Sequence, residues 1–186
     1  MKRWWTADAH LNHARLIEHY GSRPFASVTE MNETIIVRWN SVVAPEDEVF
    51  FLGDLCMDPK VSAVNWLSLL NGRKTLARGN HDDCSHEFWR EAGFVESRNT
   101  IMCDIGPYHC AARHKPVRVE DIWPDVDAII CGHAHLPEDW HRAQHVNVCM
   151  DRWDYTPISE ERLIEEITLV APRQETACHP IPDSPS

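Results

Sequence analysis

Four apolar runs in this chain each stop at a short polar cluster, and that repeated arrangement constrains the fold more than any other feature. Arg3–Ala7 runs into Asp8-Ala9-His10, Val49–Leu52 into Gly53-Asp54, Lys74–Arg78 into Gly79-Asn80-His81-Asp82, and Asp127–Cys131 into Gly132-His133-Ala134-His135. Short apolar or alternating runs of this kind read as strands. In open α/β sheets the strand ends are where side chains leave the core and converge on a shared site. The chain is therefore expected to gather carboxylate, imidazole and amide groups at one edge of a sheet.

The runs Thr100–Asp104, Tyr108–Arg113 and His145–Cys149 extend the strand set. Thr29–Val43 carries Met31, Ile35, Ile36, Trp39, Val42 and Val43 at helical spacing, with Thr29 as the expected cap, and Val61–Leu70 repeats the pattern before Asn71-Gly72. Shorter helices are expected from Ser85 to Ala92, stopped by Gly93, and from Ser159 to Ile167. Helices alternate with strands in the first half and strands crowd the second. That order predicts an α/β (α+β) sandwich with a parallel-containing first half and an antiparallel or mixed second half. No linker divides residues 1–171, which read as one domain, whereas the proline-rich, aperiodic stretch 172–186 reads as a mobile tail.

A length of 186 residues with 43% hydrophobic side chains suffices for one sizeable core. No apolar stretch nears the roughly 18 residues of a membrane span. Asp8 interrupts the start before a signal peptide's apolar core could form. A soluble, cytoplasmic protein is expected. Seven cysteines, odd in number and without a Cys-x-x-Cys pair, read as reduced thiols rather than a disulfide framework or a structural zinc site. The excess of 29 acidic over 18 basic residues, a formal charge of −11 with no Lys/Arg run, disfavours a nucleic-acid partner and favours a small substrate.

Mixed oxygen and imidazole donors suit divalent metals such as Mn, Fe or Zn. In extended segments Asp8 and His10 would share a face, as would His133 and His135, because residues two apart in a strand point the same way. Gly53 permits a tight backbone exit, and Asp54 then stands where one carboxylate could bridge two cations. Asn80 offers an amide oxygen, and His81 with Asp82 could form an oriented acid pair.

In this order the clusters resemble the signature of the calcineurin-like metallophosphoesterases: D-x-H, G-D, G-N-H-D, a lone His, then G-H-x-H. The likeness is greatest to the small bacterial and phage phosphoesterases of that superfamily, through Trp5–His13, Arg23-Pro24-Phe25, Trp39-Asn40 and Val146–Asp151. It implies a four-layer β-sandwich of two mixed sheets flanked by helices, with two divalent metal ions (Mn, Fe, Zn or Ni) at the strand ends. His109 and His114 are both candidates for the lone His. His114 is preferred because Pro116 follows it as in the family's Ser-His-Tyr-Pro segment, although Arg113 and Lys115 stand where that segment has Ser and Tyr.

By position, the resemblance implies that Asp8, His10, Asp54 and His135 hold one metal and Asp54, Asn80, His114 and His133 the other. A hydroxide bridging the two would attack a phosphomonoester or phosphodiester in line. His81 would stabilise charge or protonate the leaving oxygen, oriented by Asp82, while His13 and Asn80 reach the substrate. The expected partner is a small phosphorylated substrate, with no membrane and the oligomeric state left open. A nuclease acting on nucleic-acid ends, a silent binding scaffold of the same fold and a mononuclear oxygenase are the competing readings. Arg78 is expected to be structural, and Trp140 and Trp153 to be core material or walls of a pocket.

Overall fold

Period-two alternation sorts the aromatic residues of the first strands onto opposite faces of one sheet. The structure is a computed structural model that describes residues 1–18, 23–135 and 143–171. The expected tail 172–186 and Trp140 lie outside the described residues. Strands β1 (Arg3–Thr6), β2 (Glu48–Phe51), β3 (Arg73–Ala77) and β4 (Glu96–Arg98) pair in parallel, and a short β9 (Ile158–Ser159) joins β1 antiparallel, giving the order β4-β3-β2-β1-β9. The second sheet, β5-β6-β7-β8, comprises β5 (Thr100–Ile105) antiparallel to β6 (Tyr108–Arg113), followed by parallel β7 (Ala128–Cys131) and β8 (His145–Asn147). Both sheets are mixed, as the fold class requires.

Trp4, Val49, Phe51 and Leu76 turn to one side of the first sheet and bury against α2 (Val28–Val42), α3 (Pro59–Leu69) and α4 (His86–Ala92), where Met31, Ile35, Trp39, Leu67 and Trp89 receive them. Trp5, Leu52 and Ala77 turn to the other side. They meet Cys110, Ala112, Ala128, Ile130 and Val146 of the second sheet and Leu163 and Ile167 of α5 (Glu160–Val170). Each fully buried Trp, Leu or Ile contributes roughly 1.5–3 kcal/mol of transfer free energy, so this inter-sheet layer anchors the strand ends that carry the polar clusters. The outer face of the second sheet, Ala111, Ile129 and Cys131, is covered by Val117, Ile122 and Val126.

Several boundaries differ from the sequence reading. Ser27, not Thr29, caps α2: its hydroxyl accepts from Glu30 N at 3.1 Å, and the Glu30 carboxylate accepts from Ala26 N at 2.7 Å. This is close to a capping box. Helix α3 starts two residues before the expected Val61, at Pro59, which needs no amide partner in a first turn. β1 ends at Thr6 and β8 at Asn147, earlier than expected. The sequence reading missed β4, β9 and the four-residue helix α1 (Arg15–Glu18), all too short to show a period. No helix among the described residues is long and apolar enough to cross a membrane. None of the six described cysteines forms a disulfide.

Candidate metal centre

Parallel pairing brings the carboxyl ends of β1, β2 and β3 to one edge of the first sheet, and β6 and β7 end on the same rim from the second. Backbone bonds then stitch the emerging loops together: Asp8 N to Gly53 O at 2.9 Å, His10 N to Asp54 O at 3.0 Å, and Gly132 N to His114 O at 2.9 Å. A side chain links the sheets as well, since Asp8 Oδ2 accepts from His133 N at 2.8 Å.

The clusters are not extended, which corrects the shared-face expectation. Asp8, His10, Asp54 and His133 have φ of 59°, 47°, 61° and 71°, left-handed values that cost energy for residues with a Cβ. The turn at His133 separates the two imidazoles of its cluster. His133 Nδ1 lies 3.1 Å from His114 Nε2, while His135 Nε2 faces Asp8 Oδ1 at 3.8 Å.

Two constellations result. In one, Nε2 of His10 lies 3.8 Å from Asp8 Oδ1 and 3.6 Å from Asp54 Oδ2, with His135 closing the group. In the other, Nε2 of His114 meets Asn80 Oδ1 at 3.0 Å, His133 Nδ1 at 3.1 Å and Asp54 Oδ2 at 3.4 Å. Asp54 Oδ2 belongs to both. Groups able to hold a cation include Asp54-His114-His133 and His10-Asp54-His81, so His81 also comes within ligand range. A third group, Asp8-His135-Cys149, adds a thiol that the sequence reading had placed inside a strand. The Cys149 sulfur approaches the Nδ1 edge of His135 at 3.8 Å, the edge already taken by Asp151, so it backs the imidazole rather than sharing its Nε2 side.

The proton positions suit a cation. A carbonyl can only accept, so His114 Nδ1 donates to Leu52 O at 2.8 Å and Nε2 is left with a lone pair among other acceptors. Burial lowers the His114 pKa to about 4 and holds His10 well below its usual range. Burial, partly opposed by His135 and reinforced by Asp54, raises Asp8 to about 7, and burial also raises Asp54. Asp8 Oδ1 and both nitrogens of His10 are buried without hydrogen-bond partners among the described residues. Buried polar atoms are seldom left so. Acceptor atoms facing one another, unsatisfied and out of water, fit divalent metal ions.

Asp82 corrects an expectation. It does not pair with the His81 ring: Oδ2 accepts from Asp54 N and Gly79 N, each at 2.8 Å, and Oδ1 from Leu55 N at 3.3 Å. Its carboxylate fixes the backbone on which Asp54 is carried. The His81 backbone N–H donates to Asp54 Oδ1 at 2.8 Å, leaving Oδ2 turned toward the two constellations.

Two residues without an assigned role from sequence prove central. Asp151 Oδ2 accepts from His135 Nδ1 at 3.0 Å, and Arg23 grips the same carboxylate through Nε at 2.9 Å and Nη2 at 2.8 Å. Burial would raise the Asp151 pKa, but the bonds from His135 and Arg23 outweigh it and bring it down to about 2. Arg23 also donates to the carbonyls of Ala9 and Asp8, at 2.8 and 2.5 Å. The signal was present in Arg23-Pro24-Phe25 and Val146–Asp151, segments singled out for their likeness but given no chemistry.

The metal-competent atoms open into a cleft of about 540 Å³ lined by His10, His13, Arg15, Leu16, Met57 and His81, among others. His13 and His81 both lie beside His10, with ring centroids 5.3 and 5.2 Å from it. His109, the rejected alternative to His114, pairs instead with Asp104 at 2.8 Å on the second sheet. Arg78 donates to Cys84 O at 2.7 Å and Asn99 Oδ1 at 3.0 Å. Trp153 donates to Asn147 O at 2.9 Å and packs on the inter-sheet core.

No family model matches the chain. It is 45% identical over 174 residues to the uncharacterized protein MJ1445 of Methanocaldococcus jannaschii, covering 89% of this chain and 91% of that protein. It is 30% identical over 187 residues to the gene 66 protein of Mycobacterium phage L5, covering 81% and 86%. Among solved structures, a protein of unknown function, AQ665 from Aquifex aeolicus, superposes with a TM-score of 0.71 at 22% identity, over 89% of this chain and 98% of that one. That likeness concerns the fold. A structure of a novel archaeal phosphodiesterase overlaps only loosely, with a TM-score of 0.43 at 17% identity over 79% of this chain and 82% of that one.

Proposed function

We propose that this chain, which belongs to the same family as the Methanocaldococcus jannaschii protein MJ1445 and the gene 66 protein of Mycobacterium phage L5, is a metal-dependent phosphohydrolase acting on a phosphomonoester or phosphodiester. The donor order is that of the calcineurin-like metallophosphoesterases, and we assign the chain to them on that order. The observation that supports the reading most is the position of Asp54 Oδ2, 3.6 Å from His10 Nε2 and 3.4 Å from His114 Nε2. One carboxylate oxygen addressed by two imidazoles, each with its own further donors, is the arrangement a dinuclear centre needs.

Asp8, His10, Asp54 and His135 would hold one divalent cation, and Asp54, Asn80, His114 and His133 the other. When bound, the pair supplies positive charge against the phosphoryl oxygens and lowers the pKa of a water toward neutrality. The chain's own residues do the positioning. Asp82 fixes the Asp54 backbone, Leu52 O sets the His114 tautomer, and Asp151 sets that of His135. His81, on the cleft wall beside His10, is the proton donor to the leaving oxygen. His13, Leu16 and Met57 flank the space for the leaving group, which gives an organic substituent an apolar surface.

The test combines metal analysis with hydrolysis of a phosphomonoester, a linear diester and a cyclic nucleotide in the presence of Mn. About two metals per chain, falling on Asp54→Asn together with activity, is the result expected of a bridged site. One metal that survives this change, or no hydrolysis of any of the three substrates, overturns the proposal.

A further inference from the structure

A second hollow, of about 230 Å³, adjoins the candidate centre on the far side of Asn80. Its lining is Arg78, Gly79, Asn80, Asn99, Arg113, His114 and Lys115. Asn80 lines this hollow and the main cleft alike, so the two meet at a residue of the second constellation. Three cations and no carboxylate among its described lining residues is an unusual concentration in a chain of formal charge −11.

Among the described residues, no carboxylate pairs with any of the three cations. Other basic residues, Lys2, Arg15 and Lys60 for example, also lack an ion pair there, but Arg78, Arg113 and Lys115 are the ones that line a common hollow. The Nε atoms of Arg78 and Arg113 are buried and have no hydrogen-bond partner among the described residues. Such donors ordinarily find an acceptor. Arg78 is also held in place by its bonds to Cys84 O and Asn99 Oδ1, so little side-chain freedom would be lost on binding an anion.

The placement follows from the end of β6. His114 is buried and turned inward to Leu52 O, and its neighbours Arg113 and Lys115, two apart, open onto the hollow. These are the two positions at which the chain departs from the Ser-His-Tyr-Pro segment it otherwise resembles.

We infer that this hollow is a second anion subsite, which takes a further phosphoryl group of a small substrate whose scissile phosphate lies at the candidate metal centre. Arg is suited to phosphate through its planar fork of donors, and Lys through its point charge. The inference rests on the phosphohydrolase reading and narrows it to substrates carrying more than one phosphate. The strongly negative remainder of the chain argues for a small molecule over a polymer.

The experiment compares kcat/KM for AMP, ADP and adenosine 3′,5′-bisphosphate in the Mn-loaded full chain, and for a 5′-phosphorylated oligonucleotide. The wild type should prefer at least one of the doubly phosphorylated compounds to AMP. Lys115→Glu, at an exposed position, and Arg113→Gln should each lower that preference about tenfold. Calorimetric binding of inorganic tripolyphosphate provides a readout independent of turnover, and the same variants should weaken it. If no substrate is hydrolysed but tripolyphosphate binding depends on Lys115 and Arg113, the phosphohydrolase reading fails and the subsite stands. An unchanged preference and unchanged tripolyphosphate binding in both variants overturn the subsite. A preference for the oligonucleotide over both small doubly phosphorylated compounds overturns its assignment to a small substrate.

Discussion

Arg23 and Asp151 lie 128 residues apart in the chain and meet through two parallel hydrogen bonds, from Nε at 2.9 Å and Nη2 at 2.8 Å. Both side chains are almost wholly buried, and the pair is satisfied on every side by His135 and the carbonyls of Asp8 and Ala9. A partner that orients a ligating imidazole typically contributes 10- to 100-fold in metal affinity. Asp151→Asn should therefore weaken divalent binding by about that range, read by competition with a chromogenic chelator. Arg23→Lys keeps the charge and loses the fork, and should weaken binding as well.

Asp8 gives a pH signature to the metal-free protein. Its folded pKa, about 7, lies above the 3.8 of an exposed carboxyl, so the folded form binds the extra proton between those values. The stabilising contribution is complete only below the unfolded value of 3.8 and disappears as pH rises through 7, a change on the order of 4 kcal/mol. Asp8→Asn removes the buried charge. Urea unfolding of the metal-free variant should show higher stability than wild type at pH 7.5 and a much smaller difference, about 1 kcal/mol, at pH 4.5, while its metal affinity falls.

Asp82→Ala leaves the amides of Asp54, Leu55 and Gly79 without their acceptor. Bonds to a charged group contribute roughly 1.5–3 kcal/mol, and a buried donor left unpaired adds to the loss. Denaturant unfolding should show a destabilisation of about 2–4 kcal/mol, and metal content should fall because Asp54 loses its support.

His81→Ala tests the proposed role of His81 as proton donor. General acid catalysis contributes about 10²- to 10⁴-fold, so kcat should fall within that range for a substrate with a poor leaving group and much less for a nitrophenyl ester. Metal content should stay within about twofold of wild type; a large loss would make His81 a ligand, as its proximity to His10 and Asp54 allows.

Gly79 and Gly132 are close-approach positions. A methyl at Gly132 would collide with Ala7 and the Asp8 carboxylate, and one at Gly79 with the Asp54 carboxylate and backbone. Alanine at either site should abolish metal binding at once. Circular dichroism should still report the sheets, since neither glycine belongs to a strand.

The strand ends were legible because burial and polarity change within one residue there: Val49–Leu52 is apolar and Asp54 is not. His114 could be picked out only through its likeness to a known segment, because nothing local separates it from His109. Arg23 and Asp151 were invisible as a pair, since a contact across 128 residues leaves no periodic trace. The left-handed turns at Asp8, His10, Asp54 and His133 were equally hidden, because positive φ is signalled in sequence mainly by glycine, and tertiary bonds impose it here. Adjacency misled at His81-Asp82, where neighbouring side chains point to different partners. At α2 the expected cap, Thr29, gives way to Ser27, because Glu30 stands three positions after Ser27 and exchanges bonds across that first turn.

The donor atoms are divided between the sheets: Asp8, His10, Asp54 and Asn80 follow strands of the first, and His114, His133 and His135 follow strands of the second. A cation held by both groups would therefore be a tie rod across the open rim of the sandwich as well as a reagent. Its removal would let the rim spread while the largely aliphatic layer between the sheets stayed closed. Chelation then becomes a mechanical probe, read as faster amide exchange at the carboxyl ends of β6 and β7 than at their starts.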